Sequence, residues 1–214
     1  MADRKQGLLS WLTMPAAPPG TPSEYFARLP EIETPRLLLR RMRLRDAEDV
    51  FAYSKDPEVA RHVLWTAHRS IWESKAYIRW VIQQYRNGSP SSWCIVDRET
   101  GHVIGTIGFM SFQPENASVE VGYSLARSHW NRGLMTEALA AVLEECFSVL
   151  RLNRVEAQHF TANPSSGRVM EKCGMRHEGH LRRRICNKGE FMDVEMWGIL
   201  RSDWLSLHPS RPSP

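Results

Sequence analysis

Residues 130–137 have the composition of a site that binds an anion. Their sequence is Trp-Asn-Arg-Gly-Leu-Met-Thr-Glu, and they join an apolar strand, Val119 to Leu125, to an amphipathic helix that ends near Leu150. The first N–H groups of a helix have no partner within it, and the positive end of the helix dipole lies beside them. Gly133 has no Cβ and lets the main chain approach a ligand closely. The stretch is therefore predicted to hold a phosphate.

The candidate donors to that phosphate are consecutive backbone N–H groups. They belong to Asn131, Arg132, Gly133, Leu134, Met135 and Thr136. The Arg132 side chain adds a positive charge. A P-loop is excluded, because no Gly-Lys-Ser/Thr follows at the spacing that such a site requires. For this turn considered alone, an ordinary strand–helix connection without a ligand is the alternative.

Hydrophobic periodicity predicts the elements that position this turn. Apolar residues recur at spacings of three and four from Met135 to Leu150, which is typical of a helix packed on a core. Asn163 suits the N-cap of a later short helix, and Gly174 suits its end. The predicted order is β-α-α-β-β-β-α-β-α-β-β. This order indicates the α/β (α+β) class, with a mixed sheet covered by helices on both faces.

Composition limits the class of protein. The 214 residues carry a net charge of +4, with 42% hydrophobic and 24% charged residues, which fits a globular domain with a real core. No run approaches the ~20 apolar residues of a membrane span. The N-terminal apolar run is too short for a secretory signal. We therefore expect a cytoplasmic protein with no membrane partner.

Cysteine and arginine usage narrows the ligands further. The four cysteines are widely spaced and predict buried free thiols, and no ligand set for a metal is evident. Arginines concentrate over 36–45 and 182–184. Nucleic acid is a weak candidate ligand. We favour arginines on the solvent side of strands, some of them near an anionic cofactor or an acidic substrate.

The chain is predicted to contain one domain with two appendages. Residues 1–30 are rich in proline and are expected to form a partly disordered N-terminal extension. Residues 31–204 form the single domain, and residues 205–214 form a flexible C-terminal tail.

Four segments resemble the GNAT superfamily of acetyl-CoA-dependent N-acetyltransferases, in particular the bacterial ribosomal-protein N-terminal acetyltransferases. They are Glu33–Arg40, Glu120–Leu125, Trp130–Leu139 and Asn163–Gly174, and they follow the family's order. The resemblance implies a GNAT-like, mostly antiparallel sheet of about seven strands. It also implies acetyl-CoA (coenzyme A) as cofactor, with its pyrophosphate at residues 130–137. The family usually has Gly or Ala where this chain has Met135.

The resemblance also implies roles around the thioester. Ser124 and Leu125 would bind pantetheine where their strand diverges from Arg154–Phe160. Asn163 would cap its helix in either case, and it would also contact coenzyme A. Ser166 would lie near the sulfur and protonate the departing thiolate, or only bind backbone as a first-turn serine.

Glu120 is the candidate general base. Strand alternation places it on a polar face, where its carboxylate could accept the amine proton through water. The alternative is a solvated or ion-paired glutamate. Some enzymes of the ribosomal branch carry a catalytic Glu at the position that matches Ile185, so that base is missing here.

The expected reaction is direct attack of a primary amine on acetyl-CoA in a ternary complex. An α-amine, with a pKa near 7.7–8.0, is largely neutral at pH 7, whereas a lysine near 10.4 is not. A weak base therefore favours a protein or peptide N-terminus as the amine acceptor. The alternatives are a small-molecule amine (antibiotic, polyamine or metabolite) and a non-catalytic coenzyme-A-binding module. Either a monomer or a homodimer is compatible with the sequence.

Overall fold

One mixed sheet forms the centre of the molecule. The computed structural model describes residues 21–209. Its strands are β1 (Ile32–Glu33), β2 (Leu37–Arg40), β3 (Ser92–Asp97), β4 (Val103–Gln113), β5 (Ser118–Leu125), β6 (Arg154–Phe160), β7 (Arg176–Asn187) and β8 (Glu190–Leu200). They lie in the order β1-β2-β3-β4-β5-β6-β8-β7. The predicted fold class is confirmed, with eight strands rather than about seven, because β1 is too short to show a sequence period.

Helices pack on both faces of the sheet, as predicted. They are α1 (Pro22–Ala27), α2 (Ala47–Ser54), α3 (Pro57–Ala60), α4 (Ile71–Asn87), α5 (Leu134–Glu144), α6 (Pro164–Lys172) and α7 (Arg201–Leu207). Side chains alternate along β5, so Ser124 faces a cavity lined by α2 and α4, whereas Tyr123 contacts α6. Helices α2 and α4 therefore cover one face, and α6 covers the other.

Strands β5 and β6 are the only parallel neighbours in the sheet of residues 21–209, because α5 returns the chain between them. Their pairing runs from Ser118 with Arg154 to Val121 with Ala157 and then stops. Residues 122–125 of β5 and 158–160 of β6 therefore diverge. We call this opening the β5–β6 gap.

The packed region begins earlier than residue 31. Phe26 and Leu29 are each only 2% exposed, and the Trp93 indole donates a hydrogen bond to the Pro30 carbonyl at 2.6 Å. Phe26, Leu29 and Pro30 therefore pack on the domain, although they fall within the predicted extension. The earlier part of the predicted extension lies outside residues 21–209. In the predicted tail, residues 205–207 belong to α7.

The cysteine prediction is confirmed for two of the four thiols. Cys94 and Cys146 are buried and free, and burial raises the pKa of Cys94 to about 12. Cys173 is half-buried. The prediction is wrong for Cys186, which is exposed because it lies on the edge strand β7. Within residues 21–209, no helix has the length and apolarity to cross a membrane, and no group of His, Cys, Asp and Glu could hold a metal.

Replacing Thr21 by alanine should lower the free energy of unfolding by about 1 kcal/mol, since Thr21 caps α1. Its hydroxyl accepts from the Glu24 N–H at 3.2 Å, and the Glu24 carboxylate accepts from the Thr21 N–H at 2.7 Å. Ser70 is the matched control, because it holds the N-cap position of α4 without a side-chain cap bond. Urea denaturation should show a loss for T21A and almost none for S70A. Equal losses would contradict a capping role for Thr21.

Candidate functional site

The turn that the sequence predicts to bind an anion lies at the start of α5. Asn131 and Gly133 adopt left-handed conformations, with φ of +58° and +75°. Gly133 is the residue preceding Leu134, where the helix begins. Asparagine and glycine are the residues that adopt this conformation at least cost, which explains why the chain turns here.

The turn presents a row of unpaired donors. None of the N–H groups of residues 131–136 donates a hydrogen bond to another group within residues 21–209. The next N–H, that of Glu137, donates to the Gly133 carbonyl at 3.1 Å. Met135 does not obstruct the row, because its side chain is buried in the core and 7% exposed. All the donors predicted from the sequence are therefore brought together.

Arg36 lies beside this turn and was missed as a site residue. Its Nη1 donates to the Arg132 carbonyl at 2.9 Å, and its Nε donates to Glu137 at 2.6 Å. Its Nη2 lies 3.6 Å from where a Cβ on Gly133 would stand. The residue is 96 positions from Arg132, so no local pattern pairs the two.

The carboxylate in the turn sequence is directed away from the free N–H groups. Glu137 accepts from the Thr34 hydroxyl at 2.6 Å and from Arg36. Burial pushes the pKa of Glu137 up, but these hydrogen bonds outweigh burial and hold the pKa below its usual value. The charge of Glu137 is therefore compensated, and the turn keeps its positive character.

Backbone groups of β5 point into the β5–β6 gap. Ala126 N–H donates to the Ile104 carbonyl at 2.7 Å, and Ser124 is paired with Thr106 across β4 and β5. Backbone groups alternate in direction along a strand, so those of Tyr123 and Leu125 face the gap. The Leu125 carbonyl already accepts from the Trp130 indole at 2.7 Å. The backbone groups of Ser124 face β4 instead, and its side-chain hydroxyl lies 3.1 Å from the Thr106 hydroxyl.

Glu120 meets Gln158 where the two strands part. The Gln158 amide donates to the Glu120 carboxylate at 2.6 Å. This bond fixes the amide orientation and leaves the Gln158 Oε1 buried, with no hydrogen-bond partner within residues 21–209. A buried acceptor without a partner costs free energy unless a ligand or water supplies a donor. Gln158 was missed, because its role depends on contact with Glu120.

Ser166 and Tyr123 form a hydroxyl pair on the opposite face. Ser166 Oγ donates to Tyr123 Oη at 3.0 Å, and Tyr123 Oη donates to the Ser166 carbonyl at 3.1 Å. Burial raises the pKa of Tyr123, so it stays protonated at neutral pH. Asn163 occupies the N-cap position of α6, but its side chain makes no cap bond, because its backbone is not extended there. The predicted side-chain cap is therefore wrong.

A small cavity lies on the α2–α4 side of Ser124. It has a volume of about 40 Å³, enough for a water molecule, and none of its lining residues is acidic. The lining residues are Val50, Tyr53, Ser54, Trp65, His68, Tyr77, Thr106 and Ser124.

His68 is a second basic group that the sequence did not indicate. His68 Nδ1 lies 2.8 Å from both the Ser54 and the Ser74 hydroxyl oxygens, and Ser54 Oγ donates to the Val50 carbonyl at 2.6 Å. Burial lowers the pKa of His68, which keeps the ring neutral near pH 7. A single histidine in a loop carries no sequence pattern that marks it.

Comparisons with known proteins agree with this geometry. Residues 36–176 match the family model described as an acetyltransferase (GNAT) domain. An uncharacterized N-acetyltransferase p20 of Bacillus licheniformis is 33% identical over 171 residues, which cover 80% of this chain and 96% of that protein.

Solved structures show the same fold. A GNAT-family acetyltransferase from Bacillus anthracis superposes with a TM-score of 0.72 at 26% identity, covering 81% of this chain and 99% of that one. A ribosomal L7/L12 α-N-protein acetyltransferase in complex with coenzyme A gives 0.72 at 19% identity, covering 80% and 98%. Because the GNAT family model matches residues 36–176, which are more than half of the chain, this chain belongs to the GNAT family of N-acetyltransferases.

Proposed function

We propose that this N-acetyltransferase moves acetyl from acetyl-CoA to the α-amine of a protein or peptide. The observation that carries the proposal is the row of unpaired N–H groups at residues 131–136, with Arg36 beside it. Unpaired amides at a helix start suit a diphosphate. Strand β5 precedes this turn in the chain and borders the β5–β6 gap. The backbone groups of Tyr123 and Leu125 face that gap and can bind the rest of the cofactor.

The residues present fit coenzyme A. The turn of residues 131–136 would hold the pyrophosphate, and the backbone of Leu125 would bind pantetheine as an added strand does. The Asn163 side chain, free of its helix, would supply a further polar contact. Ser124 remains a candidate cofactor contact only because it lines the small cavity. Acetyl-CoA supplies an activated acyl group when bound.

The acceptor amine is proposed to bind beside Glu120 and Gln158. The unpartnered Gln158 Oε1 would accept one N–H of the amine, and the Glu120 carboxylate would take its proton, directly or through water. His68 is the second candidate for this step. Holding the amine between these groups would supply most of the rate enhancement, since positioning converts a bimolecular step into an intramolecular one.

The hydroxyl pair is proposed to serve the leaving sulfur. In the arrangement seen, the Ser166 proton is donated to Tyr123. Delivery to a thiolate would therefore require the Ser166 hydroxyl to rotate away from Tyr123, or the Tyr123 hydroxyl to turn from the Ser166 carbonyl. Ser166 remains the candidate donor, with Tyr123 as its partner.

An α-amine fits the site better than a polyamine does. The neutral fraction of an α-amine at pH 7 suits a weak base, whereas a polycation needs carboxylates beyond Glu120, and the cavity that Ser124 lines supplies none. The ribosomal α-N-protein acetyltransferase that shares this fold acts on such an amine. A cytoplasmic location and a monomeric or homodimeric state stay predictions of the sequence.

Replacing Asn163 by alanine should weaken acetyl-CoA binding about fivefold to tenfold, the usual net worth of one hydrogen bond. Because its side chain makes no cap bond, the free energy of unfolding should change by less than about 0.5 kcal/mol. Isothermal titration and urea denaturation of the same variant measure both quantities. An unchanged affinity would remove Asn163 from the cofactor site.

The decisive experiment supplies acetyl-CoA with a panel of peptides, lysine side-chain mimics, polyamines and aminoglycosides, and measures thiol release. We expect turnover with peptides that have a free α-amine and none with their N-acetylated forms. Tight acetyl-CoA binding without turnover on any amine would support a non-catalytic binding module instead. Turnover confined to a polyamine or aminoglycoside would move the acceptor to the small-molecule class.

A further inference from the structure

Three consecutive arginines interrupt β7. The pairing of β7 with β8 shifts register between Leu181 and Ile185, so Arg182–Arg184 stand opposite Asp193 alone. Arg183 has a left-handed φ of +50°, and its N–H donates to the Asp193 carboxylate at 2.7 Å. We call these three residues the arginine bulge. A bulge of this kind redirects side chains away from the sheet surface.

The arginine bulge lies at the end of the sheet where the β5–β6 gap opens. Thr161 directly follows the gap residues of β6, and its N–H donates to the Asp193 carbonyl at 3.1 Å. The hairpin formed by β7 and β8 also contacts the opposite side of the β5–β6 gap. At its turn, Lys188 donates to the Ala60 carbonyl at 2.6 Å, and Ala60 precedes the loop that carries Trp65 and His68. One hairpin therefore carries the arginine bulge and contacts the segment that precedes the cavity-lining residues Trp65 and His68.

The guanidinium groups of the arginine bulge are available for a ligand. All three side chains are exposed, and none forms an ion pair with a carboxylate within residues 21–209. Asp193, the nearest acidic residue in register, already accepts from the Arg183 N–H and lies 3.4 Å from His180. The arginines, with His180, Leu181 and Asp193, line an open concavity of about 870 Å³. That volume exceeds what a single ion needs.

We propose that the arginine bulge binds acidic side chains of the acceptor polypeptide, so that preferred acceptors carry Asp or Glu shortly after the N-terminal amine. The inference rests on the proposed function and specifies its substrate class. Arginine pairs with carboxylates through two parallel hydrogen bonds, and an extended peptide leaving the Glu120–Gln158 region can reach the bulge within a few residues. The same three charges repel a polycationic acceptor.

The test compares two peptides that differ only at positions 3–5, one with three Glu and one with three Gln. For the unchanged protein, we expect KM for the Glu peptide to be about tenfold lower, with similar kcat, because charges at the rim affect encounter and binding. The advantage should shrink at high salt. The double variant R182Q/R184Q should raise KM for the Glu peptide about tenfold and leave the Gln peptide unaffected.

The matched control is R79Q/R86Q, which removes the same charge from two exposed arginines of α4. Arg183 is kept, because its backbone holds the bulge in shape. Binding of the N-acetylated Glu peptide, followed by fluorescence anisotropy, gives a readout that needs no turnover.

Several outcomes overturn the inference, and they differ from failure of the proposed function. Equal KM values for the two peptides, or equal losses in R182Q/R184Q and R79Q/R86Q, would overturn it while acetyl transfer stands. If a single-stranded oligonucleotide bound the bulge in the anisotropy measurement and the acetylated Glu peptide did not, the bulge would be assigned to nucleic acid. Absence of turnover with every peptide would overturn the proposed function, and the anisotropy measurement would still decide whether the bulge binds acidic chains.

Discussion

Replacing Glu120 by glutamine is expected to lower kcat at least 100-fold while acetyl-CoA affinity stays unchanged. A positioned general base contributes roughly 10²–10⁴-fold. Glutamine keeps the shape of the side chain and can still accept from Gln158, whose amide lies 2.6 Å from the carboxylate. The loss would therefore report the missing proton acceptor rather than a collapsed site. Steady-state rates with a saturating peptide, and titration with acetyl-CoA, measure the two quantities.

Glu156 provides the control for this experiment. It lies directly opposite Glu120 in the parallel pair, and its carboxylate accepts from Arg154 at 2.6 Å. E156Q changes a neighbouring carboxylate that Arg154 already holds, and we expect kcat to change less than about threefold because this carboxylate is given no part in the proton transfer. If E120Q kept its activity and H68Q lost it, the base would be His68. If all three variants stayed active, neither group would be the base.

Replacing Gly133 by valine should weaken acetyl-CoA binding about 30-fold. A residue with a Cβ pays roughly 1–2 kcal/mol in the left-handed conformation, and a β-branched residue is worse, so the turn would relax and misalign its N–H groups. Restoring the binding geometry would then cost about 2 kcal/mol, which corresponds to that affinity loss. Isothermal titration with acetyl-CoA measures it.

The chain offers a matched control in Gly101. Its φ is also +75°, and a Cβ there would meet nothing within 4 Å. G101V and G133V should therefore lose similar unfolding free energy, and only G133V should lose affinity. A parallel loss of affinity in both variants would show that general destabilisation, and not the anion turn, sets the binding strength.

The sequence predicted the parts of the site that depend on local pattern. The periodicity after Met135 and the glycine before it predict the helix and the turn that precedes it, and both form, while anion binding by that turn stays a prediction. The contributions of Arg36 and Gln158 could not be predicted, because they arise from contacts across 96 and 38 positions.

The helix that begins after Thr21 could have been predicted from the sequence. Thr21 and Glu24 form a capping box, but the prolines around it led to the prediction of an extension.

The arginine bulge could not be predicted from the sequence, for a different reason. The predicted element order ends with two strands, and β7 (Arg176–Asn187) is the first of them. Nothing in three consecutive arginines marks the register shift or the left-handed Arg183, because both are set by the pairing of β7 with β8. Pairing across a sheet, rather than local propensity, decides where such irregularities fall.

The β5–β6 gap has a consequence for the lifetime of the protein in a cell. In the sheet of residues 21–209, only the pairs from Ser118 to Val121 join the strands before the gap to those after it. A ligand bound in this opening stabilises the native state by roughly 1.4 kcal/mol for each tenfold excess of its free concentration over its dissociation constant. Unfolding and degradation should therefore slow when coenzyme A or its acyl ester is plentiful.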